Sequence, residues 1–178
     1  MMGKKKVSFF SIFVFIVALL GFGLGAYSLY NYQQLVSQVE HPKSLARAFL
    51  ETSYSTLDEE WFKVDFDALD YDVSSDFDIT TDRFTCPTSG YYLISGMVTF
   101  SMQDGERIEV RALSESGFEA GSVAHASHTN NLSAGFTDIV FLNAGDYLEL
   151  VAYYTGAGSI YGDSSGKYTY FTIAAMDF

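Results

Sequence analysis

The sequence predicts an all-β domain of two packed antiparallel sheets, carried behind one membrane-spanning helix. Three observations predict this. Aromatic residues make up 17% of the chain and Gly outnumbers Pro fifteen to two, which suits short strands joined by tight turns. From Trp61 onward, short apolar runs are separated by turn residues every ~8–15 positions, the pattern of a sandwich or barrel. Ahead of them an uncharged apolar stretch, residues 7–30, follows Lys4, Lys5 and Lys6.

Taken in order, residues 1–6 form a basic N-terminus. The next segment, VSFFSIFVFIVALLGFGLGAYSLY, exceeds the ~30 Å hydrocarbon core of a bilayer at ~1.5 Å per helical residue. The three lysines outweigh the mixed flank of Glu40, Lys43 and Arg47. The positive-inside rule therefore keeps the N-terminus cytoplasmic and sends the rest across, as a single-pass membrane protein with an extracellular head. The competing reading is a cleavable signal peptide, whose apolar region spans ~7–15 residues before a small-residue site. Gly23 and Gly25 offer only a weak site, and cleavage there would leave the head secreted. Phe22, Gly25, Leu29, Tyr32, Val36 and Val39 recur at alternating spacings of three and four, a seam that pairs parallel helices. Residues 31–60 are thus expected to be a helical stalk and linker, with some helix around SLARAFLE and a stop at Pro42.

Residues 61–178 form the expected head. YYLISGMVTF places Tyr92, Ile94, Val98 and Phe100 on one face of a strand, after which DGE turns the chain. In ERIEVRAL, Ile108, Val110 and Ala112 point inward while Glu109 and Arg111 point outward. SAGFTDIVFL and DYLELVAYY are read as a hairpin joined by Asn143-Ala144-Gly145-Asp146, with Gly placed for a left-handed conformation. KYTYFTIAAM closes the domain as a paired strand. Eight or more such strands imply two packed sheets, a jelly roll or related sandwich.

The formal charge of −12 understates the asymmetry, because all 22 acidic residues follow position 39. An anionic head repels nucleic acid and anionic lipid and can attract cations or basic partners. No nucleic-acid binding is expected. The single cysteine, Cys86, cannot form a disulfide within one chain, so the fold rests on burial alone.

The segment from Phe66 to Phe100 resembles the globular heads of complement C1q, a family related in fold to tumour necrosis factor. Phe66, Asp72, Phe77, Phe84, Gly90 and Tyr92 fall at the spacing of the family signature. Its last two aromatics are replaced by Ile94 and Gly96, a departure that fits a distant or microbial member. The Cys of RFTCPTSG, the LNAGDYLEL turn and strand, and the Tyr/Phe-rich closing strand are similar too. The resemblance covers residues 61–178. It implies a jelly roll of about ten strands, a homotrimer, ligand binding through exposed loops, and no catalytic residues. The collagen stem usual in complement-type proteins is missing, and the helical seam at residues 22–39 is its only substitute.

Other chemistry is weighed against blander readings. Cys86 lacks a neighbouring base and reads as a small buried hydrophobe rather than a nucleophile. His125 and His128 form H-x-x-H without a third ligand, which argues against a cupin-like metalloenzyme and places both in a solvated loop, AHASHTNN. Between Glu51 and Asp82 there are eleven acidic residues and one lysine. Asp70, Asp72 and Asp76 are the calcium candidates there, against a solvated acidic edge that resists aggregation. No other cofactor is expected. In GAGSIYGDSSGK, Ser159, Tyr161 and Asp163 resemble an adaptable contact loop, with Tyr161 exposed among small residues. Asn131-Leu132-Ser133 fits a glycosylation sequon. Together these describe a membrane-anchored, homotrimeric recognition module for an extracellular protein or glycan, and not an enzyme. The alternative is a structural protein of a cell surface, spore coat or virion whose head mainly trimerises.

Overall fold

The computed structural model describes Gly25 and residues 27–31, 44–55, 60–156 and 158–176. Most of the expected membrane span and helical seam lies outside the described residues, although Gly25 and residues 27–31 are helical and exposed. Among the described residues no helix is long and apolar enough to cross a membrane. The chain divides between His41 and Pro42, and the second unit is the head.

Among the described residues thirteen strands follow in chain order: β1 (Leu45–Phe49), β2 (Tyr54–Ser55), β3 (Trp61–Lys63), β4 (Ala68–Asp72), β5 (Phe77–Asp78), β6 (Arg83–Thr85), β7 (Gly90–Met102), β8 (Arg107–Ser114), β9 (Gly117–His125), β10 (Asn130–Leu142), β11 (Tyr147–Tyr154), β12 (Ser159–Ile160) and β13 (Tyr170–Ala175). All pairings are antiparallel. The first sheet runs β10, β7, β13, β1, β4, with β12 and β2 beside the far end of β7. The second runs β9, β8, β11, and β11 then borders both β3 and β6, with β5 beyond β6. The excess over the expected ten or so strands consists of two- and three-residue pieces.

The two sheets are held together by the residues that alternate inward. Tyr92, Ile94, Val98, Phe100 and Met102 from β7 meet Ile108, Val110 and Ala112 from β8 and Leu148, Leu150, Ala152 and Tyr154 from β11, all essentially inaccessible. The rings of Phe100 and Tyr154 stack across the sandwich at 4.8 Å. Removing this apolar surface from water is worth roughly 25 cal/mol per Å² and supplies most of the drive to fold.

Three expectations are corrected. Residues 45–49, read as helix within the linker, form β1 between β13 and β4. The head therefore begins before position 61, because Ala46 and Ala48 alternate into the core. Secondly, β10 and β11 are not a hairpin. The turn between them forms as expected, with Gly145 at φ 92° and Asp146 N–H donating to Asn143 O at 3.0 Å. However, β10 pairs with β7 over its whole length while β11 belongs to the other sheet. The turn is instead pinned by Cys86, whose N–H donates to Asp146 O and whose O accepts from Gly145 N–H, each at 2.8 Å. The turn at Gly105 likewise carries the chain from β7 to β8, from one sheet to the other. Thirdly, His125 ends β9 opposite Arg107 rather than lying in a loop.

Candidate functional site

Outward-facing residues of the first sheet are ordered by register into rows across the strands. At one end Tyr91 and Phe141 are partners on β7 and β10, with ring centroids 5.4 Å apart and about half of each side chain exposed. The next row reads Ile139, Leu93, Ala174 and Leu45 across β10, β7, β13 and β1. Val73 continues it, its N–H bonded to Leu45 O at 3.0 Å. No member of these two rows is charged, and Leu93, Ile139 and Val73 are exposed. Further along, the face turns polar: Ser95 and Thr137 share a hydrogen bond of 3.0 Å, and Arg47 pairs with Asp70 at 3.0 Å while stacking on Tyr170.

A solvated antiparallel face normally alternates apolar-in and polar-out. An outward apolar row spanning four strands is the pattern of a surface that another molecule covers. The signal lay in the sequence: YYLI and DIVFL are apolar at both parities, as strands buried on both faces are.

The outward face of the second sheet differs. Lys63, Arg83, Arg107 and Arg111 lie there, four of the six basic residues among those described in the head. Trp61, Tyr147 and Tyr153 stand among them, so that guanidinium groups lie over aromatic rings at Arg83–Tyr147, Arg107–Tyr153 and Arg111–Trp61.

The expected contact loop is largely committed to structure. Ser159 pairs with Ser55. Tyr161 is half-buried rather than exposed and packs edge-on against Tyr168 at 6.2 Å. Its backbone O accepts from Thr169 Oγ1 at 2.8 Å. Asp163 caps the turn that follows, and hydrogen bonds from Ser165 hold its carboxyl below the usual range. The calcium candidates are each engaged separately. Asp70 pairs with Arg47, Asp72 accepts from the N–H groups of Asp76 and Phe77 at 3.1 and 3.0 Å, and Asp76 accepts from Ser44 Oγ at 2.6 Å. Among the described residues no three His, Cys, Asp or Glu side chains gather around one point. Cys86 is buried, and burial pushes its thiol pKa up, away from the thiolate a nucleophile needs.

The sequence model of the C1q domain matches residues 48–172. The chain belongs to the C1q domain family. No curated protein sequence matches it. Among solved structures it is similar to the globular domain of zebrafish complement 1qA protein, at 16% identity and a TM-score of 0.57 over 76% of this chain and 98% of that one. It is also similar to Eiger TNF from S. frugiperda, at 14% identity and a TM-score of 0.59 over 77% and 94% of the two chains. Murine APRIL gives 12% identity and a TM-score of 0.58 over 75% and 98%.

In this C1q domain the signature residues build the core. Phe66 meets Phe77 edge-on at 6.1 Å and Phe84 meets Tyr92 at 5.8 Å, while Tyr92 donates to Thr88 O at 2.7 Å. Asp72 supports the turn into Phe77, and Gly90 opens β7. The departure at position 96 is compensated within the sandwich. A Cβ on Gly96 would lie 2.7 Å from Leu150 and 2.8 Å from Phe136. Phe136, reaching over from β10, thus fills the space beside the missing aromatic. The family's members are recognition modules rather than enzymes.

Proposed function

We propose that the protein is a homotrimeric recognition module, anchored in a membrane by residues 7–30 with its head outside, that binds an extracellular protein or glycan. The observation that carries the assembly is the outward apolar surface of the first sheet. A second and third copy of the head are the occupants it suits, because assembly in threes is what C1q membership implies. Burying Tyr91, Leu93, Ile139 and Phe141 against a neighbour removes apolar area from water without stranding a charge. Three copies of a modest binding site then gain avidity without new contacts. The test is the mass of the full chain in detergent micelles by sedimentation equilibrium. A protein mass three times that of one chain supports the proposal, and a single-chain mass across the micromolar range overturns the trimer. Protection of residues 7–30 from protease in sealed vesicles, with the head cleaved from outside, tests the anchor.

A further inference from the structure

We propose that the outward face of the second sheet binds an anionic glycan, with adjoining sugar units seated in hollows on either side of Arg111. This rests on reading the head as a recognition module and names the chemistry of its ligand.

The hollows arise from register. Arg111 on β8 stands opposite Gly121 on β9 and Val151 on β11. A long side chain between two short ones makes a ridge with a depression on each flank. The depression over β9, of about 340 Å³, is bordered by Glu109, Arg111, Ser122 and Val123. That over β11, of about 370 Å³, is bordered by Trp61, Lys63, Arg111, Leu113 and Glu149. Each is within the size range of small-ligand sites.

Three features define the ligand. Trp61 is 44% exposed, with its ring 5.5 Å from that of Tyr153, and together they offer a flat aromatic surface for the C–H face of a pyranose. Next, donors and acceptors interleave. Glu109 lies between Arg107, at 3.7 Å, and Arg111, whose Nε donates to it at 2.7 Å. Glu149 receives the Nε of Arg83 at 2.8 Å. Among the described residues, the Nε of Arg107 is buried beside Glu109 without a hydrogen bond to the protein. Finally, four basic residues against Glu109, Glu149 and Asp78, the partner of Arg83 on β5, leave this face positive on a chain of net charge −12.

Positive charge asks for an anion, while carboxylates among the cations penalise a ligand that carries only acceptors. A polyphosphate backbone would meet Glu109 and Glu149 as like charges. A sugar ring bearing a carboxylate or sulfate satisfies both, since its hydroxyls donate to the glutamates and its acid meets the guanidinium groups.

Trp61 is the only tryptophan in the chain, so its fluorescence reports on this face alone. The full chain in detergent micelles is titrated with oligosaccharides of alginate, which carry carboxylates, of dextran sulfate, and of neutral dextran. A saturable change in emission with either charged sugar, and none with dextran, supports the proposal, and the sugar that responds names the acid. By calorimetry, Arg111→Gln and Trp61→Ala should each weaken binding about tenfold with melting temperature maintained. Gly121→Leu, which fills the first hollow, should weaken it similarly, while Lys167→Gln, which removes a distant charge, should change it less than twofold. The proposal is overturned if neither charged sugar saturates, if dextran binds equally well, or if Lys167→Gln weakens binding as much as Arg111→Gln. Sedimentation of the same samples separates the two readings. A trimer that binds no charged sugar overturns this inference alone, and a monomer that binds one overturns only the trimer.

Discussion

On the first sheet the outward row Ile139–Leu93–Ala174–Leu45 carries no charge. On the second, the outward row Trp61–Tyr153–Glu109–Val123 lies beside Arg107, Arg111 and Lys63. Both faces lie over one continuous core and follow the same two-residue alternation. The difference is therefore not one of fold but of what each face does with water. The apolar row gains by being covered. The charged row keeps its hydration and would lose several kcal/mol per ion if buried without matched partners. One sandwich can thus assemble through one face and stay open to a ligand on the other.

The largest effect should come from breaking what the faces share. Phe100→Ala removes a ring that stacks on Tyr154 and meets Phe62 edge-on at 6.1 Å. It should cost about 3–5 kcal/mol in urea unfolding and degrade both faces together. Gly96→Val forces a Cβ into Leu150 and Phe136 and should cost about 1–3 kcal/mol. Its cost should shrink in a Phe136→Leu background if Phe136 fills the space beside position 96.

A smaller effect concerns the acidic rim beneath the second sheet. Asp82 is buried, sits at φ 49° and accepts from Phe66 N–H at 2.9 Å. Burial, followed by repulsion from Asp65, pushes its pKa up to about 6. A carboxyl whose pKa is higher folded than unfolded contributes stability present in full below about pH 4, which is lost as pH rises through 6. Asp82→Asn keeps the acceptor for Phe66, suits the left-handed backbone, and supplies an N–H toward Asp65. Its melting temperature should match the parent's near pH 4 and exceed it above pH 6. Parallel curves at all pH values would contradict this. Smallest of all, Trp61→Ala should change stability by under about 1 kcal/mol, as an exposed substitution away from the core.

Much of this was legible from residue order. The two-residue alternation of 92–100 and 108–112 assigned those strands and their faces correctly, and the signature aromatics became core contacts. What failed did so for physical reasons. Leu-Ala-Arg-Ala-Phe is built mainly from good helix formers, and only its place between β13 and β4 makes it a strand. The Asn-Ala-Gly-Asp turn specifies a reversal but not which sheet receives the next strand, since Cys86, far back in sequence, decides that. The apolar surface was half legible, because YYLI and DIVFL are apolar at both parities, yet only register aligns them into one row. The cationic and aromatic face was illegible, since Trp61, Arg111, Gly121 and Tyr153 meet only once β3, β8, β9 and β11 are paired.

The central claim, that one face assembles and the other does not, is tested most directly by sedimentation equilibrium of the full chain and two double variants. Leu93→Asp with Phe141→Asp places carboxylates in the apolar rows, and Trp61→Ala with Arg111→Gln strips the opposite face. The account predicts trimers for the parent and for the second variant, and folded monomers for the first. A first variant that remains trimeric, or a second that dissociates, would contradict it.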